Sequence, residues 1–223
     1  MNQKQQNSTL VKASLSEQLI KILMDKMTLE NYTPGSRIDI EELKREFGVS
    51  HIPIRDALHK LGEQGLVTIV PRVGYFTARF SREEVEDVFD VRTLLELSAI
   101  GKGIKAVDKK ILASLKEEYT ALREDSSGKS GDVRRFYELS EILHKDVIIK
   151  CARSPLIENI YTGLINKIRV SSRMAYLPND DIDEHLELIR YLIDGDAAAA
   201  KKRLKAHLEA VKKRALRETF QSA

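Results

Sequence analysis

Apolar residues near the start of the chain recur at helical spacing. Leu15, Leu19, Ile22, Leu23 and Met27 predict an amphipathic helix over about 14–30. Pro34-Gly35 closes it with turn chemistry. Arg37 and Ile38 begin a short extended piece. Asp39 is placed to cap a second helix, Ile40–Phe47, with Leu43 and Phe47 facing inward. Gly48 ends that helix, since only glycine enters the left-handed backbone region without steric cost. Ser50 then reads as an N-cap whose hydroxyl accepts a hydrogen bond from the first turn of a third helix. Pro53 sits in that turn, where its missing N–H costs nothing. Ile54, Ala57, Leu58 and Leu61 form the buried face, and Gly65 stops the helix after about Gln64. The period then changes. Leu66–Val70 and Tyr75–Ala78 are β-branched and aromatic runs around Pro71-Arg72-Val73-Gly74, which predicts two short strands joined by a basic turn.

Helical patterning resumes at Ser81 and continues to the end. Ser81-Arg82-Glu83-Glu84 is a capping box opening a helix over 82–107, with Val85, Val88, Phe89, Leu95 and Ile100 as its stripe. Further helices are predicted over 108–123, 132–151, 154–176, 181–194 and 196–220. The segment 126–131 is a loop, 177–180 is a turn, and Gly195 separates the last two helices. No strand pattern follows residue 80. The chain is therefore mainly α: a winged helix-turn-helix over 10–79, then an all-α bundle of about six helices over 80–223. The junction near Phe80 has no long linker, so the two modules are expected to be mechanically coupled. Residues 1–9, rich in Gln and Asn, read as a disordered arm.

Composition narrows the class. With 42% apolar and 32% charged residues in 223, the chain is an ordinary globular protein. No apolar run approaches the ~18 residues of a membrane span, and 1–8 lack the apolar core of a signal peptide. The single cysteine, Cys151, excludes an internal disulfide and fits a reducing cytoplasm, where it serves as a buried small hydrophobe. The net charge is +3, and neither half is strongly basic. Affinity for nucleic acid must then come from local placement and dimerisation. The polar first turn of the third helix is the part that meets base edges in a major groove. Ser50, His51 and Arg55 lie there, and Arg72 in the wing is a phosphate candidate. The plainer alternatives are an exposed His51, a solvated Arg72 and an Arg55 paired with Asp56 or His59.

Residues 10–79 resemble the DNA-binding half of the GntR family of bacterial transcription regulators. The matching residues are Pro34-Gly35-Ser36-Arg37-Ile38, Glu42-Leu43, Gly48-Val49-Ser50, Pro53-Ile54-Arg55-Asp56-Ala57-Leu58, Leu61, Gly65-Leu66-Val67 and Gly74. The resemblance implies Arg55 as a base or phosphate contact and Gly74 as the wing tip in the minor groove. His51 stands where the family usually carries Arg, and many members have Arg near Glu41. The operator sequence is accordingly not carried over.

Three of the five histidines, His144, His185 and His207, fall on three different predicted helices of the bundle. Facing helices can bring such imidazoles to one interior point that suits Zn²⁺ or Ni²⁺. The alternatives are exposed or singly hydrogen-bonded histidines. Residues 81–220 resemble the FCD effector-binding domain of the FadR subfamily through Val91-Arg92 with Glu96, Leu143-His144, Ser154-Pro155-Leu156, Glu184-His185, Gly195-Asp196-Ala197 with Ala200, and His207-Leu208. In metal-binding members the three histidines are ligands, together with an Asp one helical turn before the first. Here Ser140 holds that position, with Glu141 as a substitute or water or effector in its place, so weaker metal binding is expected. A metal-free cavity whose histidines hold an organic ligand is the other reading. Arg92 either pairs with Glu96 one turn on or holds an effector carboxylate bidentately. Ser140 belongs to the same effector region. Arg169 and Arg173 either widen that pocket or lie at the surface.

These features predict a ligand-responsive regulator, a repressor, that binds a pseudo-palindromic DNA operator as a homodimer in the cytoplasm, with a small carboxylic acid as effector and no catalytic residues. A metal-dependent hydrolase using the three histidines and a helical protein-interaction module are the competing classes. The cationic run from Lys201 to Arg217 reads as a solvated helix face rather than a second DNA surface.

Overall fold

A computed structural model describes residues 15–29, 33–124, 130–172 and 178–220. The expected arm over 1–9, the loop tip at 126–129 and Arg173 lie outside the described residues. The chain divides into two compact units, the first ending at Ala78 and the second starting at Arg79.

The first unit contains α1 (Leu15–Leu29), β1 (Arg37–Ile38), α2 (Ile40–Phe47), α3 (His51–Glu63), β2 (Val67–Val70) and β3 (Gly74–Thr77). Leu19, Leu23, Met24 and Met27 of α1 are buried, and α1 packs on α3. Leu15 and Ile22, expected inward, are 47% and 38% exposed, and Met24 takes the inner position instead. Ile54, Ala57, Leu58 and Leu61 of α3 are buried as the spacing predicts. Asp39 caps α2 by accepting from the Glu41 and Glu42 amides, and Gly48 closes it with φ 63°. Ser50 occupies the N-cap position of α3 with extended backbone, but its hydroxyl makes no capping hydrogen bond.

The wing differs from the two-stranded expectation. Its sheet has three strands in the order β1-β3-β2, all antiparallel, because Arg37 and Ile38 pair with Phe76 and Tyr75. Val67 pairs with Thr77 and Val70 with Gly74.

Among its described residues the second unit has helices and no strand: α4 (Arg82–Gly103), a 3₁₀ turn (Ile104–Ala106), α5 (Lys109–Glu124), α6 (Ser130–Glu141), α7 (Pro155–Ser172), α8 (Pro178–Asp194) and α9 (Ala197–Phe220). Both halves of the Ser81–Glu84 capping box are formed. Asp108 and Asp196 cap the starts of α5 and α9 through their carboxylates. The α4 helix ends four residues before the expected 107, and α8 starts three residues before the expected 181. The helix begun by α6 continues through Cys151, but Ile142–Ile149 is wound as a π-helix with i→i+5 bonding. The core runs through all these helices, from Ile100 and Leu112 to Leu143, Leu188 and Leu204, each fully buried. Cys151 is buried within it.

Candidate functional site

The first candidate surface is built by α2, α3 and the wing. Arg55 points out from α3 and forms no ion pair with the described residues. Asp56 and His59 therefore do not hold it. His59 instead meets the Tyr75 hydroxyl at 3.2 Å, edge to face, and joins the helix to β3. His51, half-buried at the start of α3, places Nε2 2.7 Å from Oε1 of Glu41 on α2. The partner nullifies part of any charge that the imidazole could offer a phosphate.

At the wing, the Val73 amide donates to the Val70 carbonyl and closes a turn over Pro71-Arg72. Arg72 is exposed with φ 63°, a left-handed conformation unusual for a residue with a side chain. The tip is thus Pro71-Arg72-Val73. Gly74, expected there, opens β3 instead with φ 145°, and the Arg37 guanidinium lies against the space where its Cβ would be. Arg37 also donates to the Val73 carbonyl at 3.2 Å, supporting the turn from beneath.

The second candidate lies inside the bundle. His144 of the π-wound segment, His185 of α8 and His207 of α9 are all buried, and one nitrogen of each lies within 4.8 Å of the others. Each Nδ1 is already engaged. That of His144 is 2.5 Å from Oε2 of Glu96, that of His185 is 2.5 Å from the Asp181 carbonyl, and that of His207 is 2.6 Å from Oε2 of Glu184. A carbonyl or an ionised carboxylate only accepts, so each Nδ1 carries the proton. Each Nε2 is then left with a lone pair. Those of His144 and His185 stand 3.3 Å apart, where two acceptors cannot satisfy one another. Two nitrogens at ~2.0–2.1 Å from one tetrahedral zinc lie ~3.3 Å apart. The donor set therefore fits a divalent transition metal. Tyr119 stacks on His185 at 5.2 Å and Phe136 meets it edge-on at 5.3 Å, so the wall is apolar.

The electrostatics follow from burial. Desolvation drives His144 down to about 4, with Arg92 and His207 adding to it and Glu96 opposing. His185 is lowered too, by burial and by the other two imidazoles. Burial works to raise Glu96, but His144 and Arg92 outweigh it and hold the carboxyl at about 2. Glu184 stands at about 2 in the same way: burial raises it, and His207 and Arg203 prevail. Asp181 and Glu184 converge with His207 as well, but Arg214 and Arg203 neutralise them.

Arg92 is 5% exposed and donates from Nε to Oε1 of Glu96 at 2.7 Å. Its Nη1 reaches the Ser172 hydroxyl at 3.4 Å. The pair is a buried one, not the surface pair that the spacing alone suggests. Ser140 is half-buried in the last turn of α6. Glu141, the expected substitute ligand, is absent from the converging set because its carboxylate faces Arg169 and Lys145. Arg169 is accordingly paired with Glu141 at the partly exposed edge of the bundle. On α9, Arg203, Lys212 and Arg214 pair with Glu184, Asp90 and Asp181, so much of that cationic run serves the bundle itself.

Sequence reasoning missed Glu96 and Glu184 as the groups that orient the imidazoles. For Glu96 a signal existed. Val85, Val88, Arg92, Glu96, Ala99 and Gly103 share one stripe of α4, so both charges fall on its buried face. For Glu184 there was none, since its partner His207 is on another helix.

Residues 15–77 match the family of bacterial regulatory proteins called gntR, and residues 87–210 match the FCD domain. The chain belongs to the GntR family. This GntR regulator carries a DNA-binding domain followed by an FCD effector domain, within a family of transcription regulators that is generally non-enzymatic. It is 25% identical over 199 residues to an HTH-type regulator from an unstable DNA locus of Streptomyces ambofaciens, spanning 86% of this chain and 80% of that one. It is 23% identical over 202 residues to the HTH-type transcriptional repressor RspR of Escherichia coli, spanning 88% and 87%. Its fold is like that of E. coli McbR/YncC, with a TM-score of 0.74 at 19% identity over 89% of this chain and 95% of that one. The Zn²⁺-bound FCD domain of TM0439 also shares the fold, with a TM-score of 0.53 at 21% identity over 65% and 99%. Among the described residues no helix is long and apolar enough to cross a membrane.

Proposed function

We propose that this GntR-family protein is a cytoplasmic, metal-containing repressor that grips a pseudo-palindromic operator as a homodimer and releases it on binding a small carboxylic acid. The observation that carries the reading is the set of three buried imidazoles with every Nδ1 given to an acceptor and every Nε2 lone pair left for a cation. His144, His185 and His207 hold the ion, Zn²⁺ or Ni²⁺. The ion supplies an electrophilic point of attachment for an oxygen ligand. Three protein ligands leave coordination open, and Ser140 offers no charge to close it. A structural relative that binds Zn²⁺ in the same domain supports this assignment. Beyond its contacts with Glu96, Ser172 and Tyr161 among the described residues, the Arg92 guanidinium has N–H donors to offer an effector carboxylate.

On the DNA face Arg55 reads a base or phosphate, and Arg72 at the wing tip meets the backbone or minor groove. Ser50 and His51 lie beside Arg55, and Gly74 lets the wing turn sit close to Arg37. The repressor sign rests on RspR. Dimerisation is supported by large apolar side chains left exposed on two packed helices: Val91 and Leu94 of α4, and Leu156 and Ile160 of α7.

A native mass spectrum of protein purified without chelators tests the reading. A dimer with one metal per chain is expected, and a metal-free dimer would overturn the metal assignment. Arg55→Ala should weaken operator binding by ~1–3 kcal/mol with metal content unchanged. Unaltered binding would remove Arg55 from the interface.

A further inference from the structure

We propose that Glu96 is the positioning residue of the histidine centre, and that Arg92 sets how much of its negative charge reaches His144, so that an anion taken up by Arg92 tightens metal binding at the three histidines. The inference rests on the reading of those histidines as a metal site.

Glu96 is fully buried, and its two oxygens have separate partners. Oε2 faces the Nδ1–H of His144 at 2.5 Å. Oε1 accepts from Arg92 Nε at 2.7 Å and from the Tyr161 hydroxyl at 3.4 Å. A carboxylate carries one delocalised charge. What the guanidinium draws toward Oε1 is lost to Oε2. A carboxylate on the far nitrogen of an imidazole fixes its ring and makes the near nitrogen a stronger donor. With water excluded, that effect is not screened.

Besides Glu96, the Arg92 guanidinium meets the Tyr161 hydroxyl, and its Ser172 contact is long. Its planar fork has five N–H groups, more than these partners among the described residues take up. A free carboxylate can dock on that fork with two parallel hydrogen bonds. It then competes with Glu96 for the guanidinium, and the charge released falls on His144. The reverse must hold to the same extent. A cation on the Nε2 of His144 strengthens Nδ1–H as a donor, draws Glu96 toward the imidazole and frees Arg92 for the anion. Glu184 makes the analogous bridge between His207 and Arg203, but Glu184 and Arg203 are each about one-fifth exposed, so water weakens the effect there.

Zinc affinity, measured by competition with a chromophoric chelator, tests this on the full chain. Glu96→Gln should weaken binding by ~10–100-fold. Arg92→Gln should move it the opposite way and tighten it several-fold. The double variant leaves no buried charge without a partner, and should bind as weakly as Glu96→Gln. Should Arg92→Gln fail to fold, Arg92→Lys keeps the buried charge but loses the fork, and should tighten binding to a lesser degree. An Arg92 variant that binds zinc as the parent does, or less well, would overturn the proposal, as would a Glu96→Gln variant with undiminished affinity. A parent protein without zinc affinity sinks the metal reading instead. The His144 Nδ1–H proton resonance then tests charge sharing alone: it should move downfield in Arg92→Gln, and an unmoved resonance defeats the inference.

Discussion

His144 is neutral in the folded protein because burial opposes its charge more than Glu96 favours it. This gives a pH dependence with a definite sign. A group held below its ordinary value stabilises the fold only while the proton is off. The contribution of His144 is complete above 6.5 and disappears as the pH falls through about 4. That of Glu96 is complete above 4.5 and is lost through about 2. Melting of metal-stripped protein should therefore show a fall in Tm that begins below pH 6.5, well before ordinary carboxylates titrate. A flat Tm from pH 7 to 4.5 would show that His144 is solvated. The three histidines could be singled out in the sequence because each lies on a separate amphipathic helix. Their orienting groups could not all be, since Glu184 finds His207 only when α8 and α9 pack. Ser50 and Gly74 show the converse limit. Their residue types fit a cap and a tip, yet the hydroxyl makes no capping bond and the turn closes at Val73, one residue earlier.

Gly103 ends α4 where the chain backbone crosses it. A Cβ there would stand 1.8 Å from the Cys151 carbonyl oxygen, with the Ala152 amide also in the way. Gly103→Ala must push apart α4 and the end of the π-wound segment, at a cost of ~1–3 kcal/mol as for other overpacked sites. Chemical denaturation should show the loss as a lower midpoint with an unchanged slope, and an unshifted midpoint would mean that the junction is loose. Helix starts and stops were legible because caps are local: Ser81 with Glu84, Asp39, Asp108, Asp196, Gly48 and Gly195 all act within a few residues. The π winding of 142–149 has no such local mark. Its Leu143, His144 and Val147 are buried in the bundle. The third strand was hidden for a related reason. Arg37-Ile38 is too short to announce itself, and its partners lie almost forty residues on.

The division into a wing-bearing unit and a helical bundle was plain from the change of period at residue 66 and its return at 81. Which bundle surface stays open was not, because helix stripes tell what faces inward but not what meets another molecule. Leu94, 70% exposed on α4, and Leu156, 69% exposed on α7, are the large apolar side chains on which the proposed dimer contact rests. Leu94→Glu should convert the proposed dimer to a monomer in light scattering, weaken binding to the proposed operator through lost bivalency and leave the melting temperature nearly unchanged. A dimer that survives the change would place the contact elsewhere. The order in which the chain is made bears on the histidine centre. Its ligands come from positions 144, 185 and 207, and the last is carried by α9, the helix that packs along α4. During synthesis the pocket cannot close until α9 has left the ribosome. A product broken off after α8 has two of the three imidazoles and lacks the helix that packs along α4, so the metal site proposed above needs the chain to have run past position 207.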